Sequence, residues 1–123
     1  MNSHMFKAYL DADKDSILLC SPDHIILYMN PSAKEHFARA GGEALVGKSL
    51  MDCHNASSQK LIQQIVDWFD KSPENNEVHT YYNPRDKKEV YMVALRDDAG
   101  KLIGYFEKHE PSERDDTPCY KMD

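Results

Sequence analysis

The sequence predicts an α+β fold, a curved antiparallel sheet with helices laid over one of its faces. Three observations predict it. Strand-like sequence stands at both ends of the chain, with helical sequence between. The strands come in pairs joined by short turns, the spacing of antiparallel hairpins. One segment, residues 57–70, places Leu61, Ile62, Ile65, Trp68 and Phe69 at helical spacing, as a helix covering a sheet requires.

Taken in order, residues 6–12 are helix formers with Phe6, Tyr9 and Leu10 on one side, a short amphipathic helix. Ile17-Leu18-Leu19-Cys20 has no polar alternation and reads as a strand buried on both faces. Ser21-Pro22-Asp23-His24 is a turn, and residues 24–30 return as a second strand. Asn30-Pro31-Ser32-Ala33 opens a helix, with a side chain able to cap free amides and a proline tolerated in the first turn. Gly41-Gly42 stops that helix, and residues 43–51 read as one or two irregular turns. Asn55-Ala56-Ser57-Ser58 caps the long helix, which Lys71-Ser72-Pro73 breaks. Strands follow at residues 78–82, 89–95 and 102–107, the last two joined by the tight turn Asp97-Asp98-Ala99-Gly100.

A length of 123 residues with 41% hydrophobic content suits one domain with a single core. The formal charge of −6 argues against a nucleic-acid or anionic-membrane surface, since both reward basic patches. No apolar run reaches the roughly 20 residues of a spanning helix. Cys20, Cys53 and Cys119 are odd in number, far apart and without zinc spacing, which fits free thiols in a reducing cytoplasm. Met1-Asn2-Ser3-His4 reads as a cloning remnant. The expected organisation is residues 1–15 as remnant and N-terminal helix, 16–110 as the domain, and 111–123 as a charged, flexible tail.

Three stretches carry a resemblance. Asp23-His24-Ile25-Ile26-Leu27-Tyr28-Met29-Asn30-Pro31-Ser32-Ala33 runs a strand into an Asn and a helix. Leu45-Val46-Gly47-Lys48 is an apolar-Gly-basic step, and residues 93–105 form a closing hairpin with an acidic Gly turn. Together and in this order they resemble the PAS domain, over about residues 16–107. The Asp52-Cys53-His54-Asn55 box is similar to a bacterial, single-domain PAS-like branch. The resemblance implies a five-stranded sheet of order 2-1-5-4-3, helices over one face, and a homodimer formed through an N-terminal helix on the other face. It also implies a sensory role without catalysis. In that role a small ligand or cofactor between sheet and helices changes dimer or partner contacts.

The connector around Cys53, His54 and Asn55 is where a chemical site is expected. LOV relatives carry a flavin-reactive Cys three residues after the connector Gly. That position is Leu50 here, and Cys53 is three residues out of register, against a covalent flavin. Haem through His54 is the alternative. A neutral His is a good axial ligand, and His54 lies just before a long helix that has no His. Against it, the imidazole would simply bond backbone at a helix start, and Cys53 would be a small hydrophobe. Adjacent Cys53-His54 make a poor metal pair, and no metal site is expected. A Cys-His-Asp triad has no supporting spacing and no Gly-rich oxyanion approach.

Tyr28, Tyr91, Met92 and Tyr105 sit on strands, and those facing the helices would line a pocket or merely fill it. Trp68 and Phe69 are expected in the core, and His24, His36, His79 and His109 on surfaces or strand faces. Asn30 is expected to bond backbone on both sides of the strand-to-helix corner. A ligand-free dimerisation or scaffold module is the reading from another class. No kinase, cyclase or DNA-binding sequence accompanies the module, so it is read as signalling by association or as a piece of a larger protein.

Overall fold

A computed structural model describes residues 2–119. The chain runs α1 (Ser3–Asp11), β1 (Ile17–Cys20), β2 (Ile26–Met29), α2 (Pro31–His36), three single 3₁₀ turns (Ala38–Ala40, Gly42–Leu45 and Leu50–Cys53), α3 (Ala56–Lys71), β3 (Glu77–Asn83), β4 (Lys88–Arg96) and β5 (Leu102–Pro111). The five strands form one antiparallel sheet in the order β2-β1-β5-β4-β3, the order that the resemblance implied. β5 therefore lies in the middle, and its side chains see the centre of both faces.

One face is covered by α2, the 3₁₀ turns and α3. Leu18, Cys20, Ile26, Met29, Met92 and Tyr105 from the sheet meet Ile62, Ile65, Val66 and Phe69 from α3 in a single core. Phe69 is fully buried while Trp68 is 40% exposed, so the expectation that both are core is corrected. Adjacent helix positions are about 100° apart, and the stripe that seats Phe69 turns its neighbour outward.

Asn30 holds the first corner as expected. Fully buried, it accepts from the amides of Ile17 (3.0 Å) and Ala33 (2.9 Å), capping α2. Its amide donates to the carbonyls of Leu10 (3.1 Å) and Asp15 (2.9 Å), which ties the end of α1 to the sheet. Arg96 holds the opposite end of α3. Its Nη2 donates to Phe69, Ser72 and Asn75 carbonyls at 2.6, 3.0 and 2.9 Å, taking up acceptors that a helix end leaves free.

The connector hugs β2. Gly47 donates to the Ile26 carbonyl and Ile26 to the Lys48 carbonyl, while Leu50 donates to that of His24. Gly47 has φ +92 with open space where a Cβ would sit, so backbone conformation rather than crowding calls for glycine there. His24, read both as the end of the turn and as the first residue of the second strand, sits in the turn at φ +71, and it is buried rather than on a surface or strand face. Asn2 caps α1 and Ser3 and His4 are helical, although residues 1–4 read as a remnant. Of the expected tail, Pro111 ends β5 and residues 112–119 are exposed, while 1 and 120–123 lie outside the described residues.

Candidate functional site

Strand alternation puts Tyr105, Glu107 and His109 of β5 on the helix-covered face. In register they oppose Ala94, Met92 and Val90 of β4, and Tyr105 and Glu107 oppose Cys20 and Leu18 of β1. A middle strand that only filled a core would carry apolar residues at these positions. Here three consecutive inward positions are polar, and each has a partner.

Tyr105 belongs to a chain of hydrogen bonds that crosses the core. The His24 ring lies 2.8 Å through Nδ1 from the Tyr105 hydroxyl and 2.9 Å through Nε2 from Gln63 Oε1. Gln63 Nε2 donates to Asp67 Oδ1 at 2.9 Å. The Gln63 oxygen can only accept, so His24 carries its proton on Nε2 and its Nδ1 accepts from Tyr105. The Cys20 thiol adjoins the Tyr105 hydroxyl at the far end. Burial pushes the Cys20 thiol up to about 12 and raises the Tyr105 phenol as well, so both stay neutral. Such a thiol packs and bonds but is no nucleophile.

The second branch starts at Glu107, whose Oε1 accepts from His109 Nε2 at 2.9 Å. The His109 ring meets His36 of α2 edge-on at 4.9 Å between centroids. Burial, and then His109, lower the His36 pKa below its ordinary value. Beside these rings a polar cavity of about 430 Å³ is bounded by Lys14, Asp15, Glu35, Asp86 and Lys88.

Between α3 and β3 a crevice of about 80 Å³ reaches Glu107 from outside. Its walls include His54, Ile62, Ile65, Tyr81 and Met92. A β-bulge makes Tyr81 one of them. The register shifts between His79 and Tyr81, so Tyr81 pairs with Val90, whose side chain faces inward. His54 closes a 3₁₀ turn and donates from Nδ1 to the Leu50 carbonyl at 2.8 Å, which leaves Nε2 free to accept.

Of the residues expected to form a pocket, the structure brings together His54 and Met92 at the crevice, with Tyr105 deeper on the same face. The others part from them, which corrects the picture of one shared lining. Tyr28 opposes Leu19 and Tyr91 opposes Lys108, one residue out of phase with Cys20 and Glu107, so both stand on the outer face. Cys53 is exposed, because the 3₁₀ turn buries Leu50 instead. Asn55 caps α3 by accepting from the Ser58 amide at 2.9 Å, an exposed structural role. His24, Gln63, Tyr81, Glu107 and His109 were missed. Period two continued from Tyr105 would have reached Glu107 and His109. Nothing in the sequence marks the meeting of His24 with Gln63, 39 positions apart.

A haem does not fit this site. His54 lines the crevice, but about 80 Å³ falls far below the roughly 300–1,000 Å³ of small-molecule pockets. Among the described residues no group of three or more His, Cys, Asp or Glu is placed to hold a metal ion, and no helix is long and apolar enough to cross a membrane.

On the outer face, α1 leaves an apolar groove of about 490 Å³ with Tyr9, Leu10, Ile17, Leu19, Leu95 and Phe106 in its walls. Met5, Phe6 and Tyr9 of α1 are more than half exposed.

The family described as PAS fold matches residues 10–108. No curated protein matches the chain in sequence. Among solved structures, it is similar to a C-terminal domain from Streptococcus mutans, with TM-score 0.71, 22% identity, and 90% of this chain and 85% of that one covered. It is similar to a PAS domain from Colwellia psychrerythraea, with TM-score 0.66, 11% identity and coverage of 88% and 94%. It also resembles the Aer2 receptor of Vibrio cholerae, described as a dual PAS-heme oxygen sensor, with TM-score 0.54, 21% identity and coverage of 78% and 92%.

Proposed function

The chain belongs to the PAS-fold family, and from that premise we propose that it is a sensory module without catalytic activity. A small ligand enters the crevice between α3 and the sheet, and the state of the crevice reaches partner contacts on the outer face. The observation that carries this reading is the polar inward side of β5. Tyr105 reaches α3 through His24 and Gln63, and Glu107 reaches α2 through His109 and His36. A shift of either helix must rearrange bonds on the strand whose other side bears Phe106, in the outer groove.

The partner is a second copy of the chain, seated on that groove and on the exposed apolar side chains of α1. Light scattering over a concentration series tests both parts. Wild type is expected to dimerise, Phe106→Glu to remain monomeric, and Gln63→Leu to shift the dimer constant at least threefold from inside the core. A wild-type monomer at every concentration overturns the homodimer. A dimer constant untouched by Gln63→Leu overturns the coupling.

The small crevice favours one second reading, an association domain with a filled core and no ligand. Native mass spectrometry separates them, since only the sensory module carries or acquires an extra mass.

A further inference from the structure

Resting on the sensory reading above, we infer that the crevice beneath Tyr81 takes a small alkylammonium cation. Its charge lies on Glu107 and its alkyl part against Ile62, Ile65 and Met92.

Glu107 is the starting point. Its side chain is 18% exposed, on the middle strand, in register with the buried Leu18 and Met92. A carboxylate in such surroundings calls for a cation. Among the described residues its one ion-pair partner is His109, bonded to Oε1 at 2.9 Å, and no Lys or Arg pairs with it. An imidazole is a counter-ion only while protonated, unlike the permanent charge of an alkylammonium.

The rest of the crevice supplies what an ammonium group with a short apolar tail requires. No Lys or Arg lines it. The hydroxyl of Thr80 donates to the Val90 carbonyl at 3.0 Å, and His54, bonded through Nδ1, offers Nε2 as an acceptor. Carboxylate, aromatic ring and aliphatic wall together are the recognised surroundings of an organic ammonium. A bare divalent ion is a poorer match, because it wants several oxygen or nitrogen donors and these walls are mainly apolar. Size narrows the class further. At about 80 Å³ the crevice lies far below an ordinary small-molecule pocket, which favours a monoamine of few atoms, with ethylammonium as its simplest probe, over a polyamine. So few atoms limit the affinity to about 1 mM.

The test is a titration of the whole chain with ethylammonium chloride, read by NMR at the methyl groups of Ile62, Ile65 and Met92. Ethanol serves as the neutral probe of equal size, and sodium chloride holds the ionic strength. The expected result is saturable methyl shifts with ethylammonium, at least tenfold weaker binding of ethanol, and at least a tenfold loss in Glu107→Gln. Unchanged shifts at remote methyls show that this variant is folded. Should it not fold, Tyr81→Leu serves instead, with a loss of at least threefold as the ring is removed. Ethanol binding as well as ethylammonium, a Glu107→Gln variant that binds as wild type does, or no saturable shift overturns the inference. Light scattering on the same samples keeps the two readings apart. Amine binding with an unmoved dimer constant leaves this site standing and removes its signalling role. No amine binding leaves the association reading to stand on its own test.

Discussion

The two faces of the sheet carry polar side chains under opposite conditions. On the helix-covered face His24 and His109 are buried, as is Asn30 at the corner between β2 and α2, and each has defined partners at 2.8–3.1 Å. On the outer face, His79 stacks on Tyr91 and bonds Glu89, and Lys108 lies over the Tyr91 ring at 5.3 Å, all within reach of water. Burial decides what a pair of this kind is worth. In the core a lost partner leaves a group that water cannot satisfy, whereas outside water replaces it at little cost. The inner polar groups thus specify one arrangement of helices on sheet, while the outer face keeps a largely apolar groove open beside α1.

The largest expected effect comes from breaking the inner side at its most connected residue. Asn30→Ala strands the amides of Ile17 and Ala33 and frees the end of α1, which should cost about 3 kcal/mol in urea unfolding. A loss below about 1 kcal/mol would mean that the corner relaxes and that burial does not set the difference between the faces. Gln63→Leu comes next. It leaves the proton on His24 Nε2 without an acceptor, for about 2 kcal/mol, with α3 itself intact by circular dichroism.

How much of this was legible follows the range of the interactions. Asn30 could be read because its role is local, a cap three residues from Ala33 at a recognisable strand-to-helix step. The strands and α3 could be read from periodicity, and the order of the sheet from the resemblance. The Cys53-His54-Asn55 connector drew attention by composition, yet Cys53 and Asn55 face away from the crevice. The bulge before Tyr81, which brings this half-exposed residue to the rim of the crevice, has no sequence mark, because it is a matter of pairing with β4. The bond between His24 and Tyr105 spans 81 positions, and only the closed sheet brings them together.

Protonation sharpens the contrast between buried and exposed groups of one kind. At pH 8 a thiol reagent should label Cys53 and Cys119 quickly, and Cys20 only as the protein unfolds. The folded pKa of Cys20 is raised from 9.0 to about 12, so its contribution to stability is whole below pH 9 and is lost as pH rises toward 12. Cys20→Ala should flatten the part of the alkaline slope that begins at pH 9, leaving the later part due to Tyr105, whose pKa is also raised. In acid the sign reverses. His36 is held below 6.5, so its contribution is whole above that pH and fades as pH falls further, chiefly because burial opposes its charge.

The smallest effect belongs to the outer pair, and it is where the comparison is most exposed. His79 and Glu89 sit at 2.9 Å, the same distance as His24 and Gln63 in the core, but their side chains are 50% and 30% exposed. If hydrogen-bond length governed its worth, His79→Ala would cost as much as Gln63→Leu. If burial governs, the loss is within about 0.5 kcal/mol and shrinks further in salt. The two variants should therefore be unfolded in urea side by side, at low and high salt and at a concentration where the chain is monomeric. Equal losses for the two would sink the account of both faces at once. A loss for His79→Ala that appears only at dimer-forming concentrations would instead add this edge of the outer face to the association surface.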